Sequence, residues 1–249
     1  MNESMLGART ALSRCVVVIP TYNECENLPL LVPQVLAQDP RVEILVVDDD
    51  SPDGTGKRAD ELAAAEPRIH VLHRPRKEGL GPAYRAGIQR ALELGADWVV
   101  QMDADFSHPP EAITTMLEEI ETHDVVMGSR YLNGITVVNW PIERILLSYF
   151  GNLYVRKVTG LPITDTTGGF RCTRRSALER IGLERIRANG YAFQVELNYR
   201  LIRHGARVKE IPFFFLDRTR GESKLTVRIG LETLWMAWWL RIADALGRV

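Results

Sequence analysis

Apolar positions recur with two periods along the chain. Five short Val- and Ile-rich runs have strand length: "CVVVIP" (15–20), "VEILVVDDD" (42–50), "RIHVLHR" (68–74), "ADWVVQMDAD" (96–105) and "HDVVMGSR" (123–130). Between them, residues 26–38, 56–65, 80–94 and 109–121 repeat at helical spacing. Continuous apolar strands alternating with helices predict an α/β fold whose mostly parallel sheet is covered on both faces. Ligands of such sheets lie beyond the carboxyl ends of the strands. The polar clusters "TYNE", "DDDSPDGT" and "DADFSHPP" each follow a strand directly, so they are expected to converge on one crevice.

After residue 130 the pattern changes. Residues 141–158 carry Ile142, Ile145, Leu146, Tyr149, Phe150 and Leu153 at helical spacing, an amphipathic stripe. The segment "TDTTGGFRCTRR" follows, then a predicted helix around 192–203, a strand around 207–215 and the loop "LDRTRGESK". In the last 25 residues, Val227, Leu231, Leu234, Trp235, Trp238, Ile242 and Leu246 share one helical face; Thr226, Thr233, Arg241, Asp244 and Arg248 lie opposite. The expected organisation is an extension at 1–14, a catalytic domain at 15–224 and an amphipathic helix at 225–249.

Composition narrows the partners. Lys plus Arg (31) nearly balance Asp plus Glu (32), so no global field favours nucleic acid, and any polyanion must be gripped locally. Cys15, Cys25 and Cys172 are scattered and lack metal-ligand spacing, which points to free thiols in a reducing, cytoplasmic compartment. The N-terminal segment lacks the apolar core of a signal peptide, and no run approaches the roughly 20 apolar residues of a spanning helix. The chain is therefore expected not to be integral to a membrane by itself.

Asp103 and Asp105 stand one residue apart at the end of the fourth apolar run. In an extended segment, residues i and i+2 point the same way, so both carboxylates can face one cation, and hard oxygen ligands suit Mg or Mn. Such a cation would bridge two phosphates and stabilise a departing diphosphate. The competing reading is an acidic loop between strand and helix; the position directly after a strand weighs toward a site. Asp48, Asp49 and Asp50 form a second cluster, in which one carboxylate could accept hydrogen bonds from a nucleotide base and another cap the helix near Thr55. Three adjacent carboxylates repel one another and require a compensating partner.

Arg130, Arg144, Arg218, Arg220 and Lys224 are the cations available to offset this acidity, and a guanidinium fork matches phosphate geometry. Each alone reads more readily as a solvated surface charge; the 216–224 loop as a whole is less easily dismissed. The other candidates are weaker: His108 suits a solvent-facing or helix-capping role, "GGF" at 168–170 a tight backbone or a surface beneath a sugar, and Glu196 a helix surface or an acceptor site.

In order, "VVVIPTYNECENL", "VVDDDSPDGT", "GLGPAYRAGI", "QMDADFSHPPE", "GSRY", "TDTTGGFR", "GYAFQVEL" and "RTRGESKL" resemble the blocks of a family-2 glycosyltransferase of the GT-A, Rossmann-like fold. Within that family they are most similar to dolichol- or polyprenol-phosphate mannose synthases, in the form without transmembrane helices. The resemblance covers residues 15 to about 225. It implies that Pro20, Tyr22, Glu24 and Asp49 contact the nucleoside, and that Asp103 and Asp105 hold the diphosphate and the metal. Close relatives often carry a Gln cation ligand where Ser107 stands here; this shorter hydroxyl joins the expected ligand set directly or through a water. Arg130, Arg144, Ser148, Arg218 and Lys224 are expected to bind donor or acceptor phosphate. The implied reaction is metal-dependent, inverting transfer of mannose from GDP-mannose to dolichyl or polyprenyl phosphate.

A lipid acceptor gives the amphipathic segments a purpose, because a helix with Trp and Leu on one face can lie in the headgroup region. The expected location is thus peripheral, on the cytosolic face of a membrane, with a small membrane-embedded subunit as a further partner. The alternative is that the Trp-rich face packs on the domain or on another subunit. Two rival functions are a related transferase, such as a polyprenyl-phosphate glucosyltransferase, and a non-catalytic nucleotide-sugar-binding subunit. A dehydrogenase is excluded, because the first strand ends in "PTYNE" and no G-x-G-x-x-G follows it.

Overall fold

A computed structural model describes residues 13–216 and 227–247; Arg218, Arg220 and Lys224, most of the expected extension at 1–14 and the expected boundary at 224–225 lie outside the described residues. Strands β1 (Cys15–Thr21), β2 (Val42–Asp48), β3 (Ile69–His73), β4 (Trp98–Gln101) and β5 (Val125–Ser129) coincide with the five apolar runs, β1 extending one residue beyond its run. Helices α1 (Leu28–Leu36), α2 (Thr55–Ala65), α3 (Leu80–Glu93) and α4 (Ala112–Glu119) occupy the intervals between them. After β5 come the short strand β6 (Val137–Val138), α5 (Ile142–Thr159), β7 (Arg171–Arg174), α6 (Arg175–Ile181), α7 (Gly190–Arg203), β8 (Val208–Pro212), β9 (Phe215–Leu216) and α8 (Val227–Ala245).

The main sheet has the order β3-β2-β1-β4-β7-β5-β8. It is mostly parallel, as expected: β1 pairs in parallel with β2 and β4, and β5 with β8, while β7 runs antiparallel to both β4 and β5. Strand order reverses beside β1, whose sequence successors β2 and β3 lie on one side and β4 on the other. A crevice therefore opens beyond the carboxyl ends of β1 and β4.

Burial on both faces explains the continuous apolar runs. Val17, Ile19, Ile44, Val46 and Val100 enter one core with α1 and α4, whereas Val16, Val18, Leu45, Val47 and Val99 enter a second core with α3, α6 and α7. Helix α3 lies directly on the sheet. A Cβ on Gly87 would come within 2.4 Å of Val18 Cγ1 and 2.8 Å of Val47 Cγ2, so only glycine permits that approach.

Helices α5 and α8 pack together, joined by a hydrogen bond from Trp238 Nε1 to the Tyr154 hydroxyl (2.8 Å), and α8 also packs on α7. Their exposure inverts the usual pattern. On α5, Asn152, Val155 and Thr159 are buried, while Ile142, Leu146, Leu147, Tyr149 and Phe150 face outward. On α8, Ala237, Leu240 and Ala243 pack inward, while Trp235 (67 % exposed), Trp238, Ile242 and Leu246 face outward. The described part of the Trp-rich face is thus mostly exposed, with Trp238 touching α5 through its indole N–H. Among the described residues no helix is long and apolar enough to cross a membrane.

Candidate active site

A cavity of about 370 Å³ sits at the switch point between β1 and β4. Its wall includes Pro20 near the end of β1, Tyr22 and Glu24 after β1, Asp49 after β2, Lys77 after β3, and Asp103 and Asp105 after β4, with Asn189, Gly190 and Tyr191 closing it at the start of α7. Six residues singled out from the sequence, Pro20, Tyr22, Glu24, Asp49, Asp103 and Asp105, therefore share one cavity. Three of its bounding turns each contain a non-glycine residue with left-handed backbone: Asn23, Asp50 and Phe106, with φ of 63°, 57° and 61°. Asn and Asp tolerate this conformation locally; Phe106 is held there at a cost of roughly 1–3 kcal/mol.

The three adjacent aspartates have separate partners. Asp48 accepts hydrogen bonds from the Ser51 hydroxyl (2.6 Å) and the Ser51 N–H (3.2 Å), which closes the turn. Asp49 pairs with Arg74, which also reaches Glu78 at 2.7 Å; burial still pushes the Asp49 carboxyl above its ordinary range, against the pull of Arg74. Asp50 is exposed. The role near Thr55 belongs to Asp53, whose Oδ1 accepts from the Thr55 N–H (3.0 Å) and hydroxyl (2.6 Å).

Asp103 is half-buried, and its Oδ1 accepts from the Tyr84 hydroxyl at 2.7 Å. Burial and the nearby Asp103 push the Tyr84 phenol well above its ordinary range, so it remains a donor. Asp105 Oδ1 accepts from both the Ser107 N–H (3.1 Å) and the Ser107 hydroxyl (2.5 Å). His108 neither faces solvent nor caps a helix. It is 3 % exposed, stacks on Phe170 at 4.8 Å, and its Nδ1 accepts the Asp103 N–H at 3.0 Å, which fixes the turn between the two carboxylates.

The donor set is all oxygen. Among the described residues no group of three or more His, Cys, Asp or Glu side chains could enclose a metal. Two carboxylates suit an open site for a hard cation whose shell is completed by substrate phosphates and water, and not a closed structural centre.

Of the remaining expected residues, Arg130, Arg144 and Ser148 are not in the cavity lining. Arg130 is buried and bound side-on to Asp165, with Nε to Oδ2 at 2.6 Å and Nη2 to Oδ1 at 2.7 Å, and Nη2 also reaches the Thr167 hydroxyl. Burial alone would raise the Asp165 carboxyl, but the ion pair with Arg130 prevails and holds it below its ordinary range. Ser148 accepts from the Tyr131 hydroxyl at 2.7 Å, and the Arg144 guanidinium lies 3.9 Å over the Trp140 ring. Tyr131 and Trp140 thus tie Arg130, Arg144 and Ser148 into one patch.

Several roles escape the sequence. Lys77 sits 3.4 Å over the Tyr22 ring; the strand-end rule applied to "RPRKEGLG" after β3 would have found it. Asn189 accepts N–H bonds from Gly81 (3.0 Å) and Gly190 (2.7 Å) and donates to the Glu78 carbonyl (2.8 Å), stitching the starts of α3 and α7 together across the cavity. Glu196 is neither on a helix surface nor in the cavity. It is fully buried, pairs with Arg200 at 2.9 Å and accepts the Arg187 and Ala188 N–H groups. Gly168 in "GGF" admits the Asp165 carboxylate, whose atoms would lie 3.2 Å from an added Cβ.

The family model "Glycosyl transferase family 2" matches residues 16–182, from β1 to the end of α6. The chain belongs to glycosyltransferase family 2. The undecaprenyl-phosphate mannosyltransferase of Micrococcus luteus is 48 % identical over 213 residues, covering 86 % of this chain and 88 % of that protein. The polyprenol monophosphomannose synthase of Mycolicibacterium smegmatis is 49 % identical over 215 residues, with 86 % and 81 % covered. The dolichol-phosphate mannosyltransferase of Pyrococcus furiosus is 39 % identical over 225 residues, which span 88 % of this chain and 61 % of that longer protein. A solved structure of glucosyl-3-phosphoglycerate synthase from Mycobacterium tuberculosis, in complex with Mn2+, UDP and glucosyl-3-phosphoglycerate, superposes with a TM-score of 0.63 at 20 % identity. It covers 96 % of this chain and 80 % of that one. The GT-A architecture expected from the blocks is the one this family-2 glycosyltransferase adopts.

Proposed function

We propose that this family-2 glycosyltransferase transfers mannose from GDP-mannose to dolichyl or polyprenyl phosphate at a membrane surface, on its cytosolic face. The products are GDP and a polyprenyl-phosphate β-mannose. The observation that carries the reading is one juxtaposition: the cavity holding Tyr22, Glu24, Asp49, Asp103 and Asp105 lies in the same molecule as a helix pair, α5 and α8, that turns its apolar side chains outward. Relatives that match most of the chain are named as polyprenyl-phosphate mannosyltransferases.

In this reading Pro20, Tyr22, Glu24 and Asp49 hold the nucleoside, with Lys77 as an added counter-charge. Asp103 and Asp105, with Ser107 bonded to Asp105, hold Mg or Mn against the donor diphosphate. When bound, that cation supplies charge neutralisation for the leaving diphosphate. The acceptor phosphate is already an anionic oxygen nucleophile, so the protein needs to position it rather than deprotonate it. Its oxygen forms a bond to the sugar C1 as the bond from C1 to the diphosphate breaks on the opposite face, which inverts the anomeric centre. Arg144 and Ser148, together with Arg218 and Lys224, are assigned to bringing this second anion close; Arg130, expected from the sequence to join them, is buried and paired with Asp165, and is assigned instead to holding the patch beside them.

The test is transfer of labelled mannose from GDP-mannose, with UDP-glucose in parallel, to a polyprenyl phosphate in liposomes, with and without Mg or Mn. Metal-dependent formation of lipid-phosphate mannose is expected. Transfer from UDP-glucose alone would overturn the donor assignment, and activity unaffected by chelation would overturn the metal assignment. Activity that appears only with an added membrane subunit would make the exposed helix face a protein contact.

A further inference from the structure

Three sequence blocks have no part in the reaction as described so far: "GLGPAYRAGI", "GYAFQVEL" and the arginine of "TDTTGGFR". They meet behind Asp103. Tyr84 comes from α3 and is fully buried, and its ring stacks on Phe193 of α7 with centroids 6.2 Å apart and planes 6° apart. Its hydroxyl reaches forward to Asp103 Oδ1 at 2.7 Å. Arg171 of β7, also fully buried, is held by neutral oxygens of Gln194 (2.5 Å) and Gly168 (2.7 Å) and by Asn198. Gly87, one turn beyond Tyr84, lets α3 sit close enough on β1 and β2 for the phenol to reach the end of β4.

A half-buried carboxylate on a turn has rotamer freedom that weakens any cation it binds. One oxygen of Asp103 is committed to a donor on a rigid helix; the other, Oδ2, makes no hydrogen bond to a described residue. We infer that Tyr84 is the positioning residue of the metal and diphosphate site, fixing the Asp103 carboxylate so that one oxygen is directed to the cation. The inference rests on Asp103 acting as a ligand of the cation and diphosphate. Outer partners that orient a metal ligand typically account for about ten- to a hundred-fold in metal affinity.

The experiment measures binding of Mn2+ and GDP to the full chain by titration calorimetry, for the parent, Tyr84→Phe, Asp103→Asn and the double variant. Tyr84→Phe keeps the stacked ring and removes only the hydroxyl. It should weaken GDP binding in the presence of Mn2+ by about ten-fold or more, while GDP binding without metal and the thermal midpoint stay near the parent values. Because Tyr84 acts through Asp103, adding Tyr84→Phe to Asp103→Asn should change nothing further. Phe193→Leu, which keeps the hydroxyl but removes the ring against which Tyr84 stacks, should show a smaller loss of the same kind. Unchanged Mn2+–GDP binding in Tyr84→Phe, or additive losses in the double variant, would overturn the inference. If Asp103→Asn itself binds Mn2+–GDP like the parent, the metal-site reading fails instead.

Discussion

Asp165 accepts the Nε–H and an Nη2–H of Arg130 at 2.6 and 2.7 Å, joining two chain segments 35 residues apart through a bidentate pair sealed from solvent. Its loop is held in turn by Glu210, which accepts the Thr164 and Asp165 N–H groups, and by Asn152, which accepts the Thr166 N–H. Without the pair, each charge would be buried alone.

Asp165→Asn should therefore destabilise the fold by about 3–5 kcal/mol, measured by denaturant unfolding. The pair also sets a pH dependence. The native Asp165 carboxyl lies below its ordinary range, so its contribution is full above about pH 4 and is lost as pH falls through the depressed native value. Arg130 stays protonated throughout. Asp165→Asn should flatten that acid limb; an unchanged acid profile would refute the assignment.

Asp105→Ala should lower metal-dependent transfer by at least about 100-fold. Its loss leaves the two Ser107 donors unpaired, which should lower the unfolding free energy by about 1–3 kcal/mol. Chelation of the parent should reproduce the kinetic defect. Parent-like turnover in Asp105→Ala would remove the carboxylate from the site.

Trp235 and Ile242 are 67 % and 55 % exposed on α8. Replacing both with Ser should change unfolding stability by no more than about 1 kcal/mol. Partition onto liposomes, measured by co-sedimentation, should fall by well over ten-fold, since burying each side chain contributes about 1.5–3 kcal/mol. Retained partition would direct attention from this face to another.

Lys77→Ala removes the cation lying 3.4 Å over Tyr22. The KM for the nucleotide sugar should rise by about ten-fold or more, as expected for a lost charged contact, with kcat changed less. A fall in kcat at constant KM would show that Lys77 acts on the transition state instead.

The mostly parallel sheet and the location of the crevice were legible because both follow from local rules. A strand buried on two faces must be apolar throughout, and a parallel sheet must deliver its loops to one end. That is why "TYNE", "DDDSPDGT" and "DADFSHPP" share a cavity. Strand β7 was not legible: it has four residues, two of them arginines, and Arg171 is admitted to the interior by Gln194 and Asn198 on α7 and by the Gly168 carbonyl.

The sequence by itself determined the α/β layering, the strand-end clusters and the family, because hydrophobic period and block order are properties of the chain. Only the tertiary structure decided which partner each polar group takes: Asp165 for Arg130, Tyr84 for Asp103, Arg200 for Glu196 and the Asp103 amide for His108. It also decided which way the amphipathic helices face, turning Asn152 and Thr159 inward and Phe150 and Trp235 outward. The reason is physical: helical spacing groups apolar residues on one side, but whether that side meets the core or its surroundings depends on what the polar side can bond, and those partners are distant in sequence.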